Sequence, residues 1–128
     1  MSIREVITAK EAPAPIGPYS QAIKANDLIF TSGQIGFDVT KGILVQDSIE
    51  NETRQVLENV KTILASAGSS ISKVVKVTVF ITDMKNFQMM NSVYAQYFSE
   101  NPPARSCVEV GALPGGARVE IETIATCK

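Results

Sequence analysis

The chain has no histidine among its 128 residues, and only two cysteines, Cys107 and Cys127. Without histidine there is no Ser–His or Cys–His nucleophile pair and no imidazole-bearing metal site. Two cysteines so far apart suggest neither a disulfide framework nor a zinc site. Chemistry must come from Arg, Glu, Tyr, Ser, backbone groups and water, so no metal site is expected. Charge of either sign is not in excess: 12 Lys and Arg against 13 Asp and Glu leave a net −1. A sequence-independent grip on nucleic acid wants a basic face, and this balance does not supply one. No apolar run approaches the length of a membrane-spanning helix. Residues 1–12 lack the apolar core of a secretory signal, and they interleave Arg4, Glu5, Lys10 and Glu11 where a transit peptide would be poor in acids. A soluble intracellular protein, or one already processed, is expected. Low-complexity tracts, internal repeats and linkers are also missing, so residues 1–128 read as one domain.

What is present is an ordinary globular composition, 45% apolar and 20% charged. The proline-rich stretch Glu11 to Pro18 reads as an ordered extended loop. Gln21 to Ala25 and Leu28 to Gln34 read as strands joined by a tight turn at Asn26-Asp27. Gly36 to Gly42 reads as a loop. Ile49 to Ala67 is the clearest helix, with Ile49, Val56, Val60, Ile63, Leu64 and Ala67 on one face. Asp47 or Ser48 can cap it, Asp47 and Glu50 have capping-box spacing, and Gly68 marks its stop. Val74 to Ile81 is β-branched and aromatic, hence a strand; alternation sends Val75, Val77, Val79 and Ile81 one way and Lys76, Thr78 and Phe80 the other. Asp83 caps a second helix reaching about Ser99, with Phe87, Met90, Tyr94, Tyr97 and Phe98 as its stripe. Ala104 to Val110 and Arg118 to Thr126 are further strands around the loop Gly111 to Ala117. With a short extra strand near Ile3 to Ile7, these elements make an α+β fold: a mixed sheet with two helices packed on one face. The other face keeps apolar residues, Phe80 or the opposite row among them, and an uncovered apolar face marks an interface.

Several residues could carry chemistry, and each has a plainer alternative. Arg105 shares a strand side with Cys107 and Glu109; its guanidinium can hold a carboxylate through two parallel hydrogen bonds, or it is a solvated charge or a partner for Glu109 or Glu122. Glu120, on a side with Glu122, can orient water and relay protons, or simply face solvent. Tyr19 can close a pocket or tuck over the core. Thr31-Ser32-Gly33-Gln34 interrupts an apolar strand, and Gly33 there permits close approach of a ligand or marks a β-bulge. Asn91 breaks the stripe of the second helix; it reaches a site or caps a backbone group. Cys107 has no histidine to activate it, so a small buried hydrophobe is the default.

Taken in order, Ala14-Pro15-Ile16-Gly17-Pro18-Tyr19-Ser20, Thr31-Ser32-Gly33-Gln34-Ile35, Asn59-Val60-Lys61, Val75 to Phe80, Pro103 to Val110, Leu113-Pro114 and Glu120-Ile121-Glu122 resemble the RidA (YjgF/YER057c/UK114) family over nearly the whole chain. The resemblance implies a chorismate-mutase-like domain assembled as a homotrimer with sites in clefts between subunits. It implies a cofactor-free 2-iminobutanoate/2-iminopropanoate deaminase, in which Arg105 binds the substrate carboxylate and Glu120 positions water and moves protons. By the same resemblance, Tyr19, Ser32, Gly33, Asn91 and Cys107 are implied to line the pocket. Some relatives are described as translation inhibitors with ribonuclease activity or as chaperone-like, and a non-catalytic 2-oxo acid binder is a third alternative. A cytoplasmic location is expected, with the mitochondrial matrix as the alternative. The short loop Asn101-Pro102-Pro103, and Gly115-Gly116-Ala117 where many relatives carry a lysine, leave the cleft rim open.

Overall fold

The computed structural model describes residues 3–128; Met1 and Ser2, the first two residues of the expected domain, lie outside the described residues. Eight strands and two helices follow one another as β1 (Arg4–Ile7), β2 (Ala22–Ala25), β3 (Leu28–Thr31), β4 (Phe37–Asp38), β5 (Ile43–Leu44), α1 (Ile49–Ser66), β6 (Val74–Ile81), α2 (Phe87–Tyr97), β7 (Ala104–Glu109) and β8 (Val119–Thr126). Six of the strands form a mixed sheet in the order β1-β2-β3-β8-β6-β7. Only β6 and β7 run parallel, as the crossover through α2 requires. The expected α+β architecture is therefore the one observed.

Local chemistry explains the element ends. Asn26, with φ 54, turns β2 into β3 through a two-residue loop, register Ala25 opposite Leu28. Ser48 caps α1 by accepting the Asn51 N–H. Asp47 and Glu50 do not form the expected capping box; Asp47 instead accepts from the Ser48 N–H and the Asn51 side chain. At the far end Gly68, φ +80, lets the Gly68 N–H reach the Ala65 carbonyl and the Ser69 N–H reach Leu64, a Schellman stop.

The structure corrects three further expectations. Val75 is exposed, because a register shift between Val74 and Lys76 inserts an extra residue before the alternation settles at Val77. The second helix starts at Phe87, not beside Asp83. Asp83 caps a short 3₁₀ turn, Met84–Asn86, that precedes it. The segment after Gly36 is not only loop, since Phe37–Asp38 and Ile43–Leu44 pair as a small hairpin.

The core lies between the helices and one sheet face. Val56, Leu57, Val60, Ile63 and Leu64 of α1 meet Ile29, Val77, Val79 and Ile121 of the sheet, all fully buried. Each such side chain contributes roughly 1.5–3 kcal/mol of transfer free energy. Among the described residues the opposite sheet face has no helix over it. Val6, Ile23, Phe30 and Ile124 stand in one row across it by register, and Phe30 remains 40% exposed. Val108, beside Phe80 and Glu120 in the next strands, is 42% exposed. Among the described residues no helix is long and apolar enough to cross a membrane.

Candidate active site

Arg105 lies on the edge strand β7, in register with Val77 of β6, and Cys107 is in register with Val79. Val77 and Val79 face the helices, so Arg105 and Cys107 do too. There α2 presents Phe87, Asn91 and Tyr94, spaced one and two turns apart on one side. Arg105 Nη1 donates to Asn91 Oδ1 at 2.6 Å. The guanidinium carbon sits 4.5 Å from the centre of the Tyr94 ring and 5.5 Å from that of Phe87. Asn91 thus interrupts the apolar stripe in order to hold an arginine. Among the described residues no carboxylate pairs with Arg105. Glu109 accepts the Met84 N–H at 2.7 Å, and Glu122 is on the other sheet face, so neither fills the partner's role considered from sequence. Burial pushes the Cys107 thiol up, and the nearby Arg105 charge offsets this only in part. The thiol stays protonated near neutrality, as expected for a pocket wall rather than a nucleophile.

Glu120 belongs to a different neighbourhood. On β8 it stands opposite Phe80, on the sheet face without helices. Between Thr31 and Gln34 the β3–β8 ladder slips by one residue, from Phe30 opposite Ile124 to Gln34 opposite Ile121. Thr31 Oγ1 fills the break, accepting the Thr123 N–H at 3.0 Å. Ser32 is tied back to the proline-rich loop, its hydroxyl donating to the Ser20 carbonyl at 2.6 Å. Gly33 then passes directly beneath the Glu120 carboxyl: a Cβ there would lie 2.7 Å from Glu120 Cδ. Gly33 is therefore both a bulge residue and a site of close approach. Burial raises the Glu120 pKa, and the charge of Glu122 raises it further. Tyr19 is not tucked over the core. It is 48% exposed, lies against Gly17, and accepts the Ile16 N–H at its hydroxyl. It shares with Gly33, Ile16, Ile35, Phe37 and Leu44 a cleft of about 480 Å³.

The candidate site residues thus fall into two groups on one chain. Arg105, Asn91 and Cys107 gather on the helix side of an edge strand. Glu120 and Gly33 meet on the opposite face, two strands away, with Ser32 and Tyr19 beside Gly33 in the chain or the cleft.

Sequence reasoning missed the residues that brace the second group. Glu52 is fully buried; its carboxylate accepts the Arg118 Nε at 2.8 Å and the Arg118 N–H at 2.7 Å. This pins the start of β8, two residues before Glu120. Its own backbone oxygen would be 2.9 Å from a Cβ on Gly36, so the chain after Gly33 is held close as well. Asn59 donates to the Ile35 and Phe37 carbonyls. Gln21, also buried, bonds Ala9, Ala12 and Pro13 through its side-chain amide and so fixes the proline-rich loop. A signal existed. Glu52 and Asn59 fall on the apolar stripe of α1, between Ile49, Val56 and Ile63, where a polar residue needs a partner.

Comparison with known proteins adds a second line of argument. A family model described as Endoribonuclease L-PSP matches residues 9–127. A RutC family protein of Pyrococcus horikoshii is 54% identical over 123 residues, covering 96% of this chain and 98% of its own. A human protein named 2-iminobutanoate/2-iminopropanoate deaminase is 46% identical, covering 96% of this chain and 90% of its own. The crystal structure of E. coli TdcF with bound serine superposes with a TM-score of 0.91 at 42% identity, covering 95% of this chain and 98% of that one.

Proposed function

Since the chain belongs to the RidA (YjgF/L-PSP) family, we propose that it hydrolyses reactive 2-imino acids, 2-iminopropanoate and 2-iminobutanoate, to 2-oxo acids and ammonia, at sites completed between the subunits of a trimer. The deaminase activity rests on the names of close relatives. The assignment of roles to residues is ours.

The observation that carries the assignment is Arg105: a half-buried cation, fixed from behind by Asn91 and Tyr94, with no carboxylate of its own. A group so placed suits a carboxylate that arrives with a ligand. Water adds to the imine carbon, the nitrogen takes a proton, and the resulting aminoalcohol collapses to the 2-oxo acid and ammonia. Glu120 orients that water and passes its proton to nitrogen, a task for which a carboxyl with a raised pKa is matched. Ser32, Gly33 and Cys107 form the pocket wall and Tyr19 its closure. An imine is already electrophilic, so positioning and proton transfer suffice.

The trimer is supported by the two half-sites lying on opposite faces, since a second copy must bring Glu120 to Arg105. It is supported also by the exposed apolar row over the open face. The ribonuclease activity named in the family description is poorly served here: the chain has no histidine, and Glu120 and Glu122 on the open face would repel phosphate.

The test is hydrolysis of freshly generated 2-aminoacrylate by the purified protein, with light scattering alongside. Release of pyruvate and ammonia well above the spontaneous rate, from a trimer, is expected. A trimer that binds 2-oxo acids without turnover would reduce the protein to a metabolite binder. A monomer at micromolar concentration would remove the interfacial site altogether.

A further inference from the structure

The side chains behind Arg105 differ in what they can fix, and their geometry is specific. A guanidinium is flat, and all five of its N–H donors lie in its plane. Holding it ready for a bidentate contact requires two constraints: the tilt of the plane and the rotation within it. Asn91 supplies the second, by fixing Nη1 at 2.6 Å. It cannot supply the first, because one in-plane hydrogen bond leaves the plane free to swing about it. The Tyr94 ring, 4.5 Å from the guanidinium carbon, supplies the first, and Phe87 at 5.5 Å flanks it more loosely. An aromatic face attracts a cation through its quadrupole, and the attraction is strongest where water is excluded. Tyr94 is buried, and its hydroxyl has no hydrogen-bond partner among the described residues. Its contact with Arg105 is therefore made by the ring face alone.

We infer that Tyr94 is a positioning residue for substrate binding: its ring face sets the plane of the Arg105 guanidinium, so that the Nε–Nη2 edge is presented ready for a carboxylate. This rests on the proposed role of Arg105. It concerns the ring and not the hydroxyl. Tyr94 acts through Arg105 and need not touch the substrate.

The experiment compares wild type, Tyr94→Leu and Tyr94→Phe by steady-state hydrolysis of 2-iminopropanoate, thermal unfolding, and the Arg105 Nε–H resonance in ¹⁵N-labelled protein. Tyr94→Leu should raise KM roughly tenfold with kcat little changed, the size expected from losing a partly desolvated cation–π contact. Its Arg105 resonance should lose the ring-current displacement that the Tyr94 ring should impose in the wild type. Tyr94→Phe keeps the ring and drops only the unpaired hydroxyl, so it should restore KM and the resonance. A merely structural Tyr94 would lower the unfolding temperature and the active fraction, and hence kcat, while leaving KM alone. A Tyr94→Leu protein with KM within twofold of wild type overturns the inference. So does a Tyr94→Phe protein as impaired as Tyr94→Leu, which would move the role to the hydroxyl. If the wild type hydrolyses no imine but the Arg105 resonance responds to Tyr94 as described, the proposed function falls and the platform stands.

Discussion

The two proposed half-sites are built by different means. The Arg105 half comes from one stretch of chain, α2 and β7, residues 87–109, in which a single helix face meets a neighbouring strand. Its order comes from packing: a guanidinium laid on an aromatic ring and latched by one amide. The Glu120 half draws on segments spread across the sequence. Gln21 fixes the proline-rich loop, Thr31 to Gln34 form the bulge, and Glu52 on α1 holds Arg118 while Gly36 passes close against its backbone. Its order comes from buried polar struts. A locally packed half tolerates changes elsewhere in the fold, whereas a strutted half fails when any distant strut is cut.

The largest expected effect tests that contrast at Arg118. Arg118→Ala leaves the fully buried Glu52 carboxylate without its counter-ion, and breaking a buried pair in this way costs roughly 3–5 kcal/mol. Glu52→Gln should cost distinctly less, since the Arg118 side chain, 34% exposed, can turn to water. Denaturant unfolding of both variants measures the difference. Equal losses would mean that the burial of the carboxylate is not what makes the strut matter.

Arg105→Ala comes next, and it should leave stability nearly untouched. The substrate carries one full charge, and hydrogen bonds to charged groups contribute roughly 1.5–3 kcal/mol each. Losing the bidentate contact should lower kcat/KM by about a hundredfold or more. Arg105→Lys keeps the charge without the planar fork and should recover little. Near-wild-type turnover by Arg105→Ala would end the carboxylate-anchor reading; loss of activity together with loss of the trimer would make Arg105 structural.

These two expectations were unequally visible in the sequence. The strand alternation around Arg105 and the odd polar residue Asn91 in a helical stripe were legible, because both are local patterns. That Asn91 holds Arg105 was not, since nothing in the spacing fixes how α2 sits over β7. The bulge at Gly33 was legible as one alternative, and the ladder slip bears it out; what comes close to Gly33 in the fold is the Glu120 carboxyl. The misplacement of Val75 has a simple cause: a one-residue bulge reverses every later side chain, and strict alternation cannot see it. The Arg118–Glu52 pair was not legible, because it spans 66 residues and no local pattern links the two. The opposite placement of Arg105 and Glu120 followed from their strands' alternation only once the register to β6 was known.

Gly33→Ala probes the second half more gently. The added methyl would meet the Glu120 carboxyl at 2.7 Å, but that carboxyl is the far end of a flexible side chain and can move aside. Stability should change by less than roughly 1 kcal/mol, while kcat falls about tenfold as the proton-transfer group leaves its place. A stable variant with unchanged kcat would show that the position of Glu120 over Gly33 is not used.

The smallest effect is one of sign, and it concerns Glu120 itself. Burial, and then the charge of Glu122, raise its pKa above the ordinary glutamate value. The folded chain therefore holds that proton more tightly than the unfolded chain does. Stability from this group is fully present below the ordinary carboxylate range and is lost as pH rises through the raised value. At neutral pH the ionised Glu120 is a net cost to the fold, kept below roughly 1 kcal/mol because the half-exposed site is screened by water. Glu120→Gln should consequently unfold at a slightly higher temperature than wild type at pH 8, while losing activity. The advantage should shrink as the pH is lowered toward 4, where the wild-type carboxyl is protonated as well. Glu122→Gln removes the second cause alone, so it should move the acidic limb of the kcat/KM profile to lower pH without abolishing turnover. A Glu120→Gln protein less stable than wild type at pH 8 would mean that the carboxylate is a strut like Glu52, and the division between a packed half and a strutted half would have to place Glu120 among the supports instead of the chemistry.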